Sequence, residues 1–185
     1  MSESPSRHTM SGITRTVVAA ATAAGALIAA AIVTASPAAA ALNWHCKASS
    51  HSIDQANYSG PLPDQWDFTV RNCTARSGSY VYSKASISWD GPYFAKDNWY
   101  DGAYYHLVTK KSVAGTDPTV GRHDTAGLEA KLENSNAYGN GSYATATIKV
   151  KVGASKGYTD GTLYLDWRRC CGGYKSWGFA ASPAV

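Results

Sequence analysis

From Tyr143 to Val152 the chain alternates strictly: Ala144, Ala146, Ile148, Val150 and Val152 fall on one side, Thr145, Thr147, Lys149 and Lys151 on the other. A period of two predicts an antiparallel strand with one buried face. The same period runs through Asp67 to Cys73, Ser79 to Trp89, Tyr104 to Thr109 and Thr162 to Cys170, and a closing strand is expected around Trp177, Phe179 and Ala181. Turn dipeptides separate these runs: Gly60-Pro61, Pro63-Asp64, Asp90-Gly91, Asp101-Gly102, Asn140-Gly141 and Asp160-Gly161. In residues 125–134, Leu128, Ala130 and Leu132 alternate with Glu129, Lys131 and Glu133; the pattern predicts a strand rather than a short helix capped by Asp124 or Thr125, with both glutamates on a solvated side. Short strands joined by tight turns predict an all-β fold, an antiparallel β-sandwich of immunoglobulin-like architecture, over residues 42–185.

The first residues follow a different pattern. A basic segment with Arg7, His8 and Arg15 leads into an uncharged, apolar run from Val17 to Val33, then into small residues up to Ala41. That order is the signature of a secretory signal peptide, assigned to residues 1–41, and it predicts a secreted, extracellular domain, with bacterial export as the expected route. Alanine dominates the apolar run, which argues against a retained membrane anchor.

An oxidising exterior turns Cys46, Cys73, Cys170 and Cys171 into candidates for two disulfides that staple the domain. Pairing Cys46 with Cys73 forces the adjacent Cys170 and Cys171 to bond to each other, so the expected arrangement ties this pair to Cys46 and Cys73 in one order or the other. No CxxC or HxxxH spacing supports a zinc site, and no CxxC supports a redox centre, so neither metal nor cofactor is expected.

Net charge is +4 for the whole chain, and losing the leader's Glu3, Arg7 and Arg15 lowers it by one. That mild, scattered excess gives no footprint for nucleic acid or an anionic membrane. HExxH and the EF-hand loop are absent after the leader, and a carboxylate pair for glycoside hydrolysis is not singled out, so a non-catalytic role is expected.

Aromatic residues change the picture most. Trp99-Tyr100 and Tyr104-Tyr105 flank Asp101-Gly102, preceded by Trp89, Tyr93 and Phe94. Neighbouring strand residues point to opposite faces, so some of these rings are expected to be exposed. The candidate binding residues are Trp99, Tyr100, Tyr104 and Tyr105, together with Leu42 and Trp44 of an N-terminal extension that would add a strand to a partner's sheet. The favoured partner is another secreted protein, the chain being an adaptor or accessory subunit of an extracellular assembly such as an antibacterial toxin complex. The alternatives are a carbohydrate-binding module stacking its tryptophan and tyrosine on a polysaccharide, and an enzyme inhibitor presenting the stretch from Lys110 to Thr119.

Overall fold

The computed structural model describes residues 41–55, 58–60, 64–93, 99–168 and 170–185. The leader apart from Ala41, the proline turns at Pro61 and Pro63, and Phe94 lie outside these residues. Nine strands and one short helix are described: β1 (His45–Ile53), β2 (Trp66–Ser77), β3 (Tyr80–Asp90), β4 (Tyr100–Lys111), β5 (Thr119–Asp124), α1 (Leu128–Glu133), β6 (Gly141–Ala144), β7 (Ile148–Lys151), β8 (Gly157–Trp167) and β9 (Lys175–Phe179). They form two antiparallel sheets, β1-β2-β3-β6 with β7 also on β3, and β5-β4-β8-β9.

Alternation sets which residues enter the core. β8 buries every second residue from Gly157 to Trp167, and β2 buries Trp66, Phe68 and Val70 while exposing Asp67, Thr69 and Arg71. Both sheets feed one hydrophobic cluster, with Ile53, Trp66, Phe68, Ile87 and Trp89 from the first and Tyr100, Tyr105, Leu107, Leu163 and Trp167 from the second. Towards the other end the interior turns polar. Thr74 shares hydroxyl hydrogen bonds with Thr159 and Ser182, Thr109 donates to Ser83, and the Tyr105 hydroxyl donates to Asn72 Oδ1 at 2.9 Å. Each of these polar groups is buried with its partner, so its desolvation is compensated.

Two regular expectations fail locally. The run from Tyr143 to Val152 is two strands, because the four residues of β3 from Ser83 to Ser86 face the five residues from Ala144 to Ile148. The extra residue flips the alternation, so Tyr143 turns inward and Ala144 outward before Ile148 and Val150 turn inward again. Thr145 fills the gap, its N–H donating to the Ala85 carbonyl and its hydroxyl accepting the Ala85 N–H.

The stretch at residues 125–134 is not a strand. Gly127 takes φ 85°, a left-handed value, and α1 follows with Leu128 and Leu132 four residues apart and both buried. Ala130, which would share their face in a strand, is exposed. Glu133 is not simply solvated either: its Oε1 accepts the backbone N–H groups of Trp99 and Tyr100 at 2.9 and 2.8 Å, pinning the start of β4 to the helix.

The free sheet edges meet side chains. His51 Nε2 bonds the Gly178 carbonyl at 2.8 Å, Ala180 N–H donates to Ser49 Oγ, and Asn72 donates to the Ala180 carbonyl. The chain end continues this seam, with Gly157 and Val185 exchanging both backbone hydrogen bonds at 3.0 Å. The Gly178 carbonyl and both backbone groups of Ala180, at and just past the end of β9, are thereby occupied by side chains of β1 and β2. No helix among the described residues is long and apolar enough to cross a membrane.

Candidate functional site

Strand pairing, not the expected crossing to the C-terminal pair, decides the disulfides. Cys46 and Cys73 are direct partners in the β1–β2 register, their Cα atoms 4.1 Å apart, and they are bonded to each other. Cys170 therefore bonds to Cys171. Cys171 has φ 73°, and Gly172 and Gly173 follow with φ of 51° and 82°. Three successive left-handed residues reverse the chain between β8 and β9, and Tyr174 emerges from this reversal.

Tyr174 lies over Gly102, whose missing side chain leaves room for the ring; a Cβ there would collide with the Tyr174 hydroxyl. Its ring meets Tyr104 edge to face, centroids 5.1 Å apart. Tyr104 in turn stacks on Tyr164, directly opposite in the β4–β8 register, at 4.7 Å and an interplanar angle of 5°. His106, two residues along β4, meets Tyr164 edge to face and pairs through Nδ1 with Asp124 of β5. Side chains of β4, β5 and β8 and the turn before β9 thus build one outward aromatic patch on the second sheet. Burial and the neighbouring Tyr164 and Asp124 raise the pKa of the Tyr104 phenol, which stays a neutral donor at ordinary pH.

The other expected binding residues divide sharply. Tyr100 and Tyr105 are fully buried and belong to the core, so they are unavailable to a partner. Inward neighbours crowd them: Tyr100 meets Trp167 in a tilted contact at 4.7 Å and Trp66 edge to face at 5.4 Å, while Tyr105 crosses Gly161 to reach Asn72. Trp99 is half-buried against the same core. The adjacency of Tyr104 and Tyr105 hid this outcome, since alternation makes one inward and the other outward without saying which. Tyr164 and Tyr174 were not among the candidates. Tyr164 was legible as an outward residue of the alternating strand, whereas Tyr174 depends on the chain reversal.

Leu42 and Trp44 are half-buried in the segment before β1. Lys84 Nζ lies 4.0 Å from the centre of the Trp44 ring. Trp44 and Lys84, together with Cys46, Cys73, Arg71, Ser86, Ala144 and Thr145, line a groove of about 310 Å³ on the outer face of the first sheet. The two patches occupy different sheets.

Comparison with protein-family models, curated proteins and solved structures finds no match to this chain. Among the described residues no three histidine, cysteine, aspartate or glutamate side chains gather as a metal site, and no hydroxyl or thiol hydrogen-bonds His106. The stretch from Lys110 to Thr119 is a tied hairpin connection. Val113 N–H and the Tyr158 hydroxyl both donate to Asp117, at 2.8 and 2.9 Å.

Proposed function

We propose that the chain is a non-catalytic, secreted binding domain, an adaptor or accessory subunit of an extracellular bacterial protein assembly, and that it holds its partner through Tyr104, Tyr164 and Tyr174. The observation carrying this reading is the interlocked tyrosine patch, held from below by strand register and from one side by the Cys170–Cys171 reversal. Tyrosines placed in advance bury much apolar area at small entropic expense and keep hydroxyls for hydrogen bonds, which suits a protein hot spot.

A protein partner is favoured over a neutral sugar because the rings already occupy one another. A sugar platform needs ring faces lying open, and here Tyr104 is stacked on one side by Tyr164 and met by Tyr174. The finer architecture we propose is a β-sandwich, supported by the single core fed by both sheets. Its order is distinct from the constant-type immunoglobulin arrangement, in which the second and third strands belong to opposite sheets; here β1, β2 and β3 are consecutive neighbours.

The test is affinity capture from culture supernatant of the producing cell by the tagged domain, run in parallel with Tyr164→Ala and Tyr174→Ala. A stoichiometric partner retained by the parent and lost by both variants is the expected result. Capture unaffected by either substitution, or binding to insoluble polysaccharide instead, overturns the reading.

A further inference from the structure

The groove beside the Cys46–Cys73 disulfide has a charge pattern that its own neighbours leave unanswered. Strand register places Arg71 opposite Ser86 and Lys84 opposite Cys73, so the two cations are diagonal neighbours on the same outer face. Such neighbours stand roughly 7–8 Å apart. Lys149 and Lys151 continue the series on β7, and Lys149 lies over Tyr80 and Tyr82 at 4.4 and 5.6 Å. Carboxylates on this face, Asp67 and Asp90, face each other at its far end. Among the described residues, the Arg71 guanidinium has neither an ion-pair nor a hydrogen-bond partner.

Opposite Arg71 on β1 sits Ala48, which leaves the guanidinium uncovered. The groove floor is the disulfide and Ala144, one wall is Trp44, and the lining is mostly apolar. Hydroxyl partners are scarce. Thr145 Oγ1 is already used by Ala85 N–H and the Ala146 carbonyl, which leaves Ser86. A neutral sugar would find one hydroxyl to bond, whereas a carboxylate beside an apolar side chain would find two cations and a greasy floor.

We infer that this groove binds an acidic peptide segment of a protein partner, one carrying a carboxylate next to an apolar residue, with Arg71 and Lys84 gripping the carboxylate and Trp44 packing on the apolar side chain. Arg71 presents a planar fork suited to bidentate carboxylate recognition, and Lys84, positioned by the Trp44 ring, adds a second charge. The site lies on the opposite sheet from the tyrosine patch and stands whether or not that patch binds anything.

The experiment is fluorescence anisotropy of the intact disulfide-bonded domain with a labelled, end-blocked peptide built from repeats of glutamate, leucine and serine, beside its glutamine counterpart. Binding of the glutamate peptide alone is expected, weakened roughly tenfold by Arg71→Gln and by Lys84→Gln and further by added salt, with Lys175→Gln on the other sheet unchanged. Arg71 is exposed and its side chain has no described partner, so its substitution leaves the fold intact as read by far-UV circular dichroism. Equal binding of the glutamine peptide, no binding of the glutamate peptide, unchanged affinity in both groove variants, or binding of polygalacturonate in place of the peptide overturns the inference.

Discussion

At the scale of single residues, two buried tyrosines that look alike in the sequence carry different energetics. The Tyr105 hydroxyl donates to Asn72 Oδ1 inside the core, and burial pushes its phenol pKa up strongly. Tyr105→Phe strands a buried acceptor and is expected to destabilise the domain by about 1–3 kcal/mol in denaturant unfolding. The Tyr100 hydroxyl is equally buried but bonds to no described residue, so Tyr100→Phe is expected to shift the midpoint less than Tyr105→Phe; the reverse order would contradict the hydrogen-bond assignment. Gly161 is glycine for a positional reason. Any Cβ there runs into the Tyr105 ring, and Gly161→Ala should lower stability by about 1–3 kcal/mol through overpacking.

At the scale of elements, α1 and the β4–β5 connection each depend on one acidic side chain. Glu133 receives the first amides of β4 while Leu128 and Leu132 anchor the helix in the core, and Leu132→Ala is expected to lower stability by about 2–5 kcal/mol. Asp117 accepts from Val113 N–H and Tyr158, and both bonds hold its carboxyl below the ordinary value of 3.8. A depressed carboxylate contributes stability above that ordinary value and loses it as pH falls through the lowered one. Acidification below about pH 4 should therefore lower the protection of the Val113 amide relative to its intrinsic exchange rate, and Asp117→Asn should flatten that dependence. On the alkaline side burial, then the Asp117 bond, pushes Tyr158 up to about 12, so its contribution is complete below pH 10.0 and lost as pH rises through 12. A Tyr158 titration near the free-tyrosine value would remove this account.

Across the whole molecule the two disulfides do different work. Cys46–Cys73 closes a loop with a sequence separation of 27, and on the chain-entropy model its loss costs about 3.5 kcal/mol. Cys170–Cys171 spans a separation of 1 and closes no loop, so its effect is confined to the reversal that presents Tyr174. The double variant Cys46→Ala/Cys73→Ala is expected to lower the melting temperature, whereas Cys170→Ser/Cys171→Ser should leave it nearly unchanged and shift the ring resonances of Tyr104 and Tyr174. A large drop in melting temperature for the second pair would show that the reversal holds the fold itself.

The all-β class, most strand positions and the inward faces of β2, β3 and β8 were legible in the sequence, because alternation is a local consequence of the pleat and repeats over many residues. The one-residue bulge at Thr145, the helix at Leu128 and the pairing of the cysteines were not. Each is settled by a partner distant in sequence: Ala85 for the bulge, the core for the two leucines, and the β1–β2 register for Cys46 and Cys73. Exposed tyrosine was foreseeable as a class, yet the choice of Tyr104 over Tyr105, and its union with Tyr164 and Tyr174, was decided only in tertiary structure. Alternation says that neighbours part company; which of them meets the core depends on what the other sheet places there.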